Sequence, residues 1–142
     1  MGRKVRVWDG PLRIFHWLLV ISVTTALYTG WAGGGLIDWH ARAGLAIIGL
    51  LSFRLAWLLL GSTYARLSTL LCSLLALPQY LRGDWRQLGH NPLGVLSVFA
   101  MLGMLGWQAV SGLFTNDDIA FTGPLYKLVS SSLSAEMTSL HR

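Results

Sequence analysis

Two histidines, His16 and His40, each lie at the edge of a long apolar segment. Ionisable side chains are costly in hydrocarbon, so a histidine beside a membrane-spanning segment indicates a functional site. Imidazole is also a common axial ligand of haem iron. An interfacial histidine that extends its ring to water is the alternative, and spacing alone gives the two interpretations equal weight. Both residues are therefore candidate haem ligands.

The composition is that of a membrane protein rather than a soluble domain. The chain has 142 residues, which predicts a single domain, and it is 54% hydrophobic and only 12% charged. Soluble domains carry roughly twice that charged fraction. Seven Trp and four Tyr suit a membrane interface, where amphipathic rings settle at the depth of the headgroups. The mean hydropathy of +0.55 agrees.

Charge and cysteine content exclude several function classes. The net charge of +5 comes from basic residues scattered among apolar stretches. They form no basic stripe in the sequence, so a nucleic-acid interface is not predicted. The single cysteine, Cys72, excludes an intrachain disulfide and a cysteine-based metal cluster. We expect Cys72 to be a small buried apolar residue rather than a reactive thiol.

Three segments are long enough to cross about 30 Å of hydrocarbon as helices: Ile14–Trp31, about His40–Leu60 and about Leu93–Phe114. The first is too long for a secretory signal peptide, and Trp31 stands where a small-residue cleavage site would lie. These lengths predict an all-α membrane protein with three spans.

The connecting segments are polar or too short to span. Leu67–Leu81 contains a short apolar stretch and Pro78, which predicts an interfacial helix. Gly83–Pro92 is a polar turn region, in which Asn91 suits a helix N-cap, Pro92 a first helical turn, and His90 an exposed loop position. A polar loop follows Phe114, and we expect it to continue through the serine run at residues 130–132.

Basic residues in the short loops predict the orientation. They cluster before the first span and between the second and third, at Arg3, Lys4, Arg6, Arg13, Arg66, Arg82 and Arg86. Loops of this kind stay in the cytoplasm. The N-terminus is therefore expected inside and the C-terminus outside.

This orientation assigns a depth to each candidate ligand. His16 begins the first span near the inner face, and His40 begins the second near the outer face. About 20 residues at roughly 1.5 Å each separate these ends, so the two histidines cannot share one iron. Two metal sites, one on each side of the membrane, are expected.

Two arginines and a glycine could serve such sites. Arg54 lies about 21 Å beyond His40 along its helix, near the level of His16. A haem propionate or a lipid phosphate would pair with it, and extension to the headgroups is an equal alternative. Arg13, one turn before His16, could act in the same way. Gly44 shares the helix face of His40 and would let a flat macrocycle approach the backbone. For most of Gly30, Gly49, Gly103, Gly106 and Gly112, helix packing is the favoured interpretation.

Several motifs resemble one known family. Val7-Trp8-Asp9 and Arg13-Ile14-Phe15-His16-Trp17 are followed by the HxxxG motif from His40 to Gly44. Gly89-His90-Asn91-Pro92-Leu93-Gly94 and Gly112-Leu113-Phe114-Thr115-Asn116-Asp117-Asp118 flank the third span. In this order and over nearly the whole chain, they resemble the bacterial cytochrome b561 and nickel-hydrogenase cytochrome b family.

The resemblance implies a four-helix membrane bundle that carries two b-type haems, each held by two histidines. It implies electron transfer in a respiratory chain of the bacterial cytoplasmic membrane, between a quinone pool and a partner oxidoreductase. His16 and His40 match the ligands of the first two helices, and His141 matches the first of two ligands on the fourth.

The resemblance also sets expectations for completeness and partners. Residues 1–142 would form one cytochrome b561-like domain, truncated at the start of the fourth helix. The outer haem would have His40 and His141, and the inner haem only His16. Expected partners are membrane lipid, haem, quinone, and a hydrogenase-like or cytochrome c-like protein or a second copy of the chain. A haem-free membrane anchor for a redox complex is the alternative function.

Overall fold

The computed structural model describes residues 9–86, 89–118 and 121–142. Six α-helices occur there: α1 (Gly10–Ala32), α2 (Ile37–Leu60), α3 (Leu67–Leu75), α4 (Leu77–Leu81), α5 (Pro92–Leu113) and α6 (Ser131–His141). Within the described ranges, β geometry is limited to an isolated bridge between Asn116 and Thr122. The predicted all-α fold is therefore confirmed. Arg3, Lys4, Arg6 and the Val7-Trp8 pair lie outside the described residues.

Three helical segments are long and apolar enough to cross a membrane: Gly10–Ala32, Gly34–Leu60 and Pro92–Leu113. They coincide with the three predicted spans to within a few residues at most ends. Large apolar side chains on them remain exposed, for example Leu60 at 76% and Met104 at 73%. Apolar helix surface of this kind is suited to contact with lipid chains.

The chain divides into two compact units. The first consists of Leu50–Leu102 together with the described part of Met1–Leu18, and the second of Leu19–Gly49 with Gly103–Arg142. His16 belongs to the first unit, whereas His40 and His141 belong to the second.

The first unit has a small apolar core of Leu58, Leu70 and Val95. The predicted interfacial segment is helical as expected, but it forms two helices, because α3 ends at Leu75 and Pro78 lies in the first turn of α4. Proline lacks the N–H that a continuous helix would need there. The prediction for Cys72 is wrong, since its side chain is exposed on α3, on the face opposite to the one that Leu70 and Ser73 bury.

Asp9 fixes the start of α1 within this unit. Its Oδ1 accepts a hydrogen bond from the Leu12 N–H at 2.9 Å, which is an N-cap contact. Its Oδ2 accepts from Trp57 Nε1 at 3.1 Å and from Ser62 Oγ at 2.5 Å. One carboxylate thus joins the start of α1 to the end of α2 and the turn after it.

The Asp9 contacts predict acid sensitivity. Burial raises the pKa of the carboxyl, but hydrogen bonds from Ser62, Leu12 and Trp57 outweigh burial and hold the pKa below its ordinary value of 3.8. A carboxyl with a lowered folded-state pKa stabilises the fold above its unfolded-state pKa, and this stabilisation is lost as pH falls through the folded-state value. Unfolding in detergent, followed by circular dichroism below about pH 4, should show this loss. The Asp9→Asn variant should be less stable than the wild type at neutral pH, and its stability should fall less steeply as the pH is lowered. If the variant lost as much stability in acid as the wild type does, the assignment of this effect to Asp9 would be contradicted.

The start of α5 follows the sequence prediction. Pro92 is the first helical residue, and the Gly94 N–H donates to Asn91 Oδ1 at 2.7 Å. The preceding turn uses positive φ angles at Gly83 and Gly89, which glycine adopts without steric cost. His90 is exposed in this turn, as expected.

The second unit contains α6, which the sequence analysis did not predict over its full length. Ser130 is the N-cap, and its Oγ accepts from the Leu133 N–H at 3.3 Å. The prediction of a loop through residues 131 and 132 is wrong, because both lie in the first turn of α6. Serine favours both loops and helix N-caps, because its hydroxyl bonds nearby backbone groups. The serine run at residues 130–132 therefore did not distinguish a loop from the start of a helix.

Polar side chains on one face of α6 fasten it to the end of α5 and the following loop. The buried Ser134 donates from Oγ to the Phe114 carbonyl at 2.8 Å. One turn later, Thr138 Oγ1 accepts from the Asn116 N–H at 3.1 Å. These contacts place the last residue of the helix, His141, in a fixed position.

Candidate metal centre

His40 and His141 lie side by side in the second unit. Their Nε2 atoms are 3.5 Å apart, and their rings are nearly perpendicular, with centroids separated by 5.8 Å. His40 lies in the first turn of α2, and His141 is the last residue of α6. The structure thus brings together the two residues that the resemblance pairs on one haem.

A backbone carbonyl sets the tautomer of His40. Its Nδ1 lies 2.8 Å from the Ala26 carbonyl oxygen on α1. A carbonyl oxygen only accepts hydrogen bonds, so Nδ1 carries the proton and donates it. When the ring is neutral, Nε2 is then the unprotonated nitrogen, and it is directed at His141.

The same arrangement holds His141. Its Nδ1 lies 2.9 Å from the Gln108 carbonyl oxygen and 3.1 Å from Ser111 Oγ, both on α5. Burial lowers the pKa of His141; the hydrogen bond to Gln108 acts in the opposite sense, and repulsion between the two rings when both are protonated lowers the pKa further, for a net decrease. The Gln108 carbonyl oxygen only accepts hydrogen bonds, so in the neutral ring the proton is on Nδ1.

In the neutral form of both rings, two unprotonated nitrogens therefore face one another with no proton between them. Such a pair is unfavourable in isolation, and an electron-pair acceptor such as a metal ion would stabilise it. No group of three or more His, Cys, Asp or Glu side chains that could hold a metal occurs among the described residues. Two imidazoles are too few for a typical protein-only site, but haem iron needs only one or two side chains from the protein, and histidine is a common one, so His40 and His141 would suffice to hold it. The donor set therefore fits haem.

The two rings line a largely apolar cavity of about 740 Å³ in the second unit, within the usual size range of cofactor sites. Gly44 also lines it, and a Cβ built there would meet nothing within 4 Å. This open space suits the expected role of Gly44 beside a flat macrocycle. Apolar cavity residues include Val23, Leu27, Leu45, Leu105 and Leu113.

Two other glycines make room for the imidazoles themselves. A Cβ at Gly30 would lie 3.0 Å from His40 Nδ1, and a Cβ at Gly112 would lie 2.7 Å from His141 Cε1. Each glycine follows the carbonyl that accepts the imidazole proton by four residues. A helical side chain covers the turn that precedes it, so a larger residue here would shield that carbonyl.

These contacts form a repeated arrangement, which we call the histidine clasp: a carbonyl at position i, a buried hydroxyl at i+3 and a glycine at i+4. The α1 clasp consists of Ala26, Thr29 and Gly30 and holds His40. The α5 clasp consists of Gln108, Ser111 and Gly112 and holds His141. Thr29 and Ser111 are both buried, at 4% and 1% exposure.

A family model described as prokaryotic cytochrome b561 matches residues 7–142. The chain belongs to this family. It is therefore a b-type cytochrome, a multi-pass membrane protein of electron transfer, and haem b is the cofactor that the family implies. Neither a curated protein nor a solved structure matches the chain.

The cytochrome's first unit contains the remaining predicted site residues. His16 is exposed and meets Trp17 edge-on, with ring centroids 5.8 Å apart. Arg13 lines a shallow open groove with Trp17. Arg54 is buried at 6% exposure, donates from a terminal nitrogen to the Ala65 carbonyl at 3.4 Å, and is attracted by the charge of Asp9.

Sequence reasoning did not identify Gln108 and Ser111, the two residues that hold His141. Besides its carbonyl, Gln108 uses its side-chain Nε2 to donate to the His141 carbonyl at 2.6 Å. The available signal was weak: two polar residues three positions apart in a span whose only other polar side chain is that of Ser97. Such spacing places both side chains on one helix face, but it does not indicate what they meet.

Proposed function

We propose that His40 and His141 hold a b haem between them, and that the cytochrome relays single electrons through it. The observation that supports this most directly is the 3.5 Å approach of two Nε2 atoms whose rings both carry their proton on Nδ1. When bound, haem supplies the one-electron redox chemistry. The chain's own residues bind it, orient it and exclude water.

The contacts give each part of the site a separate role. The Ala26 and Gln108 carbonyls hold the Nδ1 protons and leave both Nε2 atoms available to iron. Hydrogen bonds of this kind orient a metal-binding imidazole and raise its basicity. The apolar cavity wall lowers the local dielectric constant, and Gly44 leaves space at the helix surface.

The proposal extends to the electron pathway. We assign the protein to the cytoplasmic membrane of a bacterium, with electrons passing between a quinone pool and a partner oxidoreductase. Exposed apolar side chains on the spanning helices support a lipid environment, from which a hydrophobic quinone could approach. His16 remains the proposed ligand of a second, inner haem, with Arg13 and Arg54 as candidate partners for its propionates.

A reduced-minus-oxidised optical spectrum of the purified protein tests the proposed function. We expect the narrow α-band of a low-spin b haem, a haem-to-protein ratio of at least one, and a six-coordinate low-spin signal in electron paramagnetic resonance of the oxidised protein. Protein that is folded and helical but lacks these bands would refute the proposal and favour a haem-free membrane anchor.

The proposed orientation makes a separate prediction. In a Cys72→Ala background, the Gly2→Cys variant should react with a membrane-impermeant thiol reagent only from the cytoplasmic side. The Arg142→Cys variant should react only from the outside, because three spans separate the two positions. Intact spheroplasts and inverted vesicles give the two accessibilities, and unmodified Cys72→Ala protein is the blank. Labelling of both positions from one side would overturn this topology.

A further inference from the structure

Ser111 makes a contact that the haem-ligand assignment does not use. Its side chain is buried at 1% exposure, and its Oγ touches two polar atoms. The Gln108 carbonyl oxygen lies 2.9 Å away, and His141 Nδ1 lies 3.1 Å away. Because Nδ1 also lies 2.9 Å from that carbonyl, the three atoms form a closed triangle.

The positions of the two protons in this triangle follow from chemistry. The carbonyl has no proton and only accepts. His141 Nδ1 carries a proton, so it cannot accept one from the hydroxyl. The Ser111 proton is therefore donated to the Gln108 carbonyl, which accepts from the hydroxyl and the imidazole at once. Ser111 Oγ is in turn a second, more distant acceptor for the Nδ1–H, at 3.1 Å.

The α1 clasp differs at this point. Thr29 Oγ1 donates to the Thr25 carbonyl at 2.7 Å and lies 3.3 Å from the Ala26 carbonyl. Ala26 therefore accepts mainly from His40, at 2.8 Å. The two imidazoles have the same tautomer and the same kind of acceptor, but only His141 shares its acceptor with a closely bound hydroxyl.

Sharing has an electronic consequence. A strong hydrogen bond from Nδ1 makes an imidazole a better electron donor to its metal, and electron donation stabilises oxidised iron relative to reduced iron. A hydroxyl that donates to the same carbonyl draws electron density from it and weakens the bond from Nδ1. The effect reaches the metal through hydrogen bonding and the axial ligand, both of which set haem potentials.

We propose that Ser111 is a positioning residue that limits electron donation from His141 and so raises the reduction potential of the outer haem. This inference rests on the proposed function of His40 and His141 as haem ligands. Ser111 acts only through His141, and it holds the ring in place while sharing its acceptor.

The Ser111→Ala variant tests the proposal, with Ser97→Ala as the matched control. Ser97 is on the same helix, but its side chain is exposed and donates at 3.0 Å to the Leu93 carbonyl of its own helix rather than beside a histidine. Potentiometric titration of the α-band gives the midpoint potential of the outer haem, identified as the component that His40→Ala removes. We expect Ser111→Ala to remain low-spin with a lower midpoint potential, and Ser97→Ala to match the wild type.

An unchanged or raised potential in Ser111→Ala overturns the inference, even if the variant melts at a lower temperature, because a merely structural role would not move the potential. Proton NMR of the haem-free chain gives a second readout. The His141 Nδ1–H resonance should move downfield in Ser111→Ala as its bond to Gln108 strengthens, and no downfield movement would also overturn the inference. Failure of the proposed function is distinct, since it would appear as wild-type protein without low-spin haem.

Discussion

Low-spin haem binding at the outer site is expected to disappear when His40 is replaced by alanine. The variant leaves His141 with a single unprotonated nitrogen and no opposite ligand. Loss of a hydrogen-bond partner of a metal ligand costs roughly 10- to 100-fold in affinity, and loss of the ligand itself should cost more. Haem content per chain and the low-spin electron paramagnetic resonance signal measure the result.

His90→Ala is the matched control for this prediction. His90 is also a single imidazole, but it is exposed in the turn before α5, so its removal should change neither haem content nor spin state. Circular dichroism should show equal helicity in both variants. Unchanged haem stoichiometry in His40→Ala would refute the pairing of His40 with His141.

A single added methyl at Gly112 is expected to disable the same site. In the Gly112→Ala variant the new Cβ would lie 2.7 Å from His141 Cε1, well inside the ~3.5–4.0 Å contact distance of carbon atoms. The ring must move away, which breaks its bond to the Gln108 carbonyl and misaligns Nε2. We expect loss of six-coordination, seen as a change from low-spin to high-spin bands.

Gly103→Ala separates this steric effect from a general effect on the helix. Gly103 is on the same helix, and a Cβ there would meet nothing within 4 Å. Alanine has a higher helix propensity than glycine by about 1 kcal/mol, so neither substitution should weaken α5 itself. A low-spin site in Gly112→Ala, or its loss in Gly103→Ala, would show that the α5 clasp does not depend on space beside the His141 ring.

The spans were predictable from the sequence because length and hydropathy alone decide whether a helix can cross hydrocarbon. The cap at Asn91 and Pro92 was predictable for a different reason, because each of these residue types has one dominant local role at the start of a helix. Helix α6 was not, because its polar face is satisfied by Phe114 and Asn116, and such partners become known only once the chain is folded. Cys72 shows a similar limit, since a residue's apolar character does not indicate which face of an interfacial helix it occupies.

The candidate site was likewise predictable from the sequence only in part. His40 was predictable as a candidate ligand from its residue type at the end of a span, whereas His141 was predictable only from the family resemblance. Gln108 and Ser111 lie about 30 residues before His141, and no periodic pattern links them to it. The tautomers likewise depend on which backbone oxygen each ring meets, and this is a property of the packed helices.

The attachment of α6 has a thermodynamic consequence for loading the cofactor. Ser134 and Thr138 bond the helix to backbone groups of the second unit, and the Gln108 side chain secures the carbonyl of His141. None of these bonds involves a cofactor atom. The conformational entropy of the His141 ring is therefore lost when the chain folds rather than when the cofactor binds. A site ordered in advance retains more of its coordination energy as affinity, so haem capture should require little rearrangement of this end of the chain.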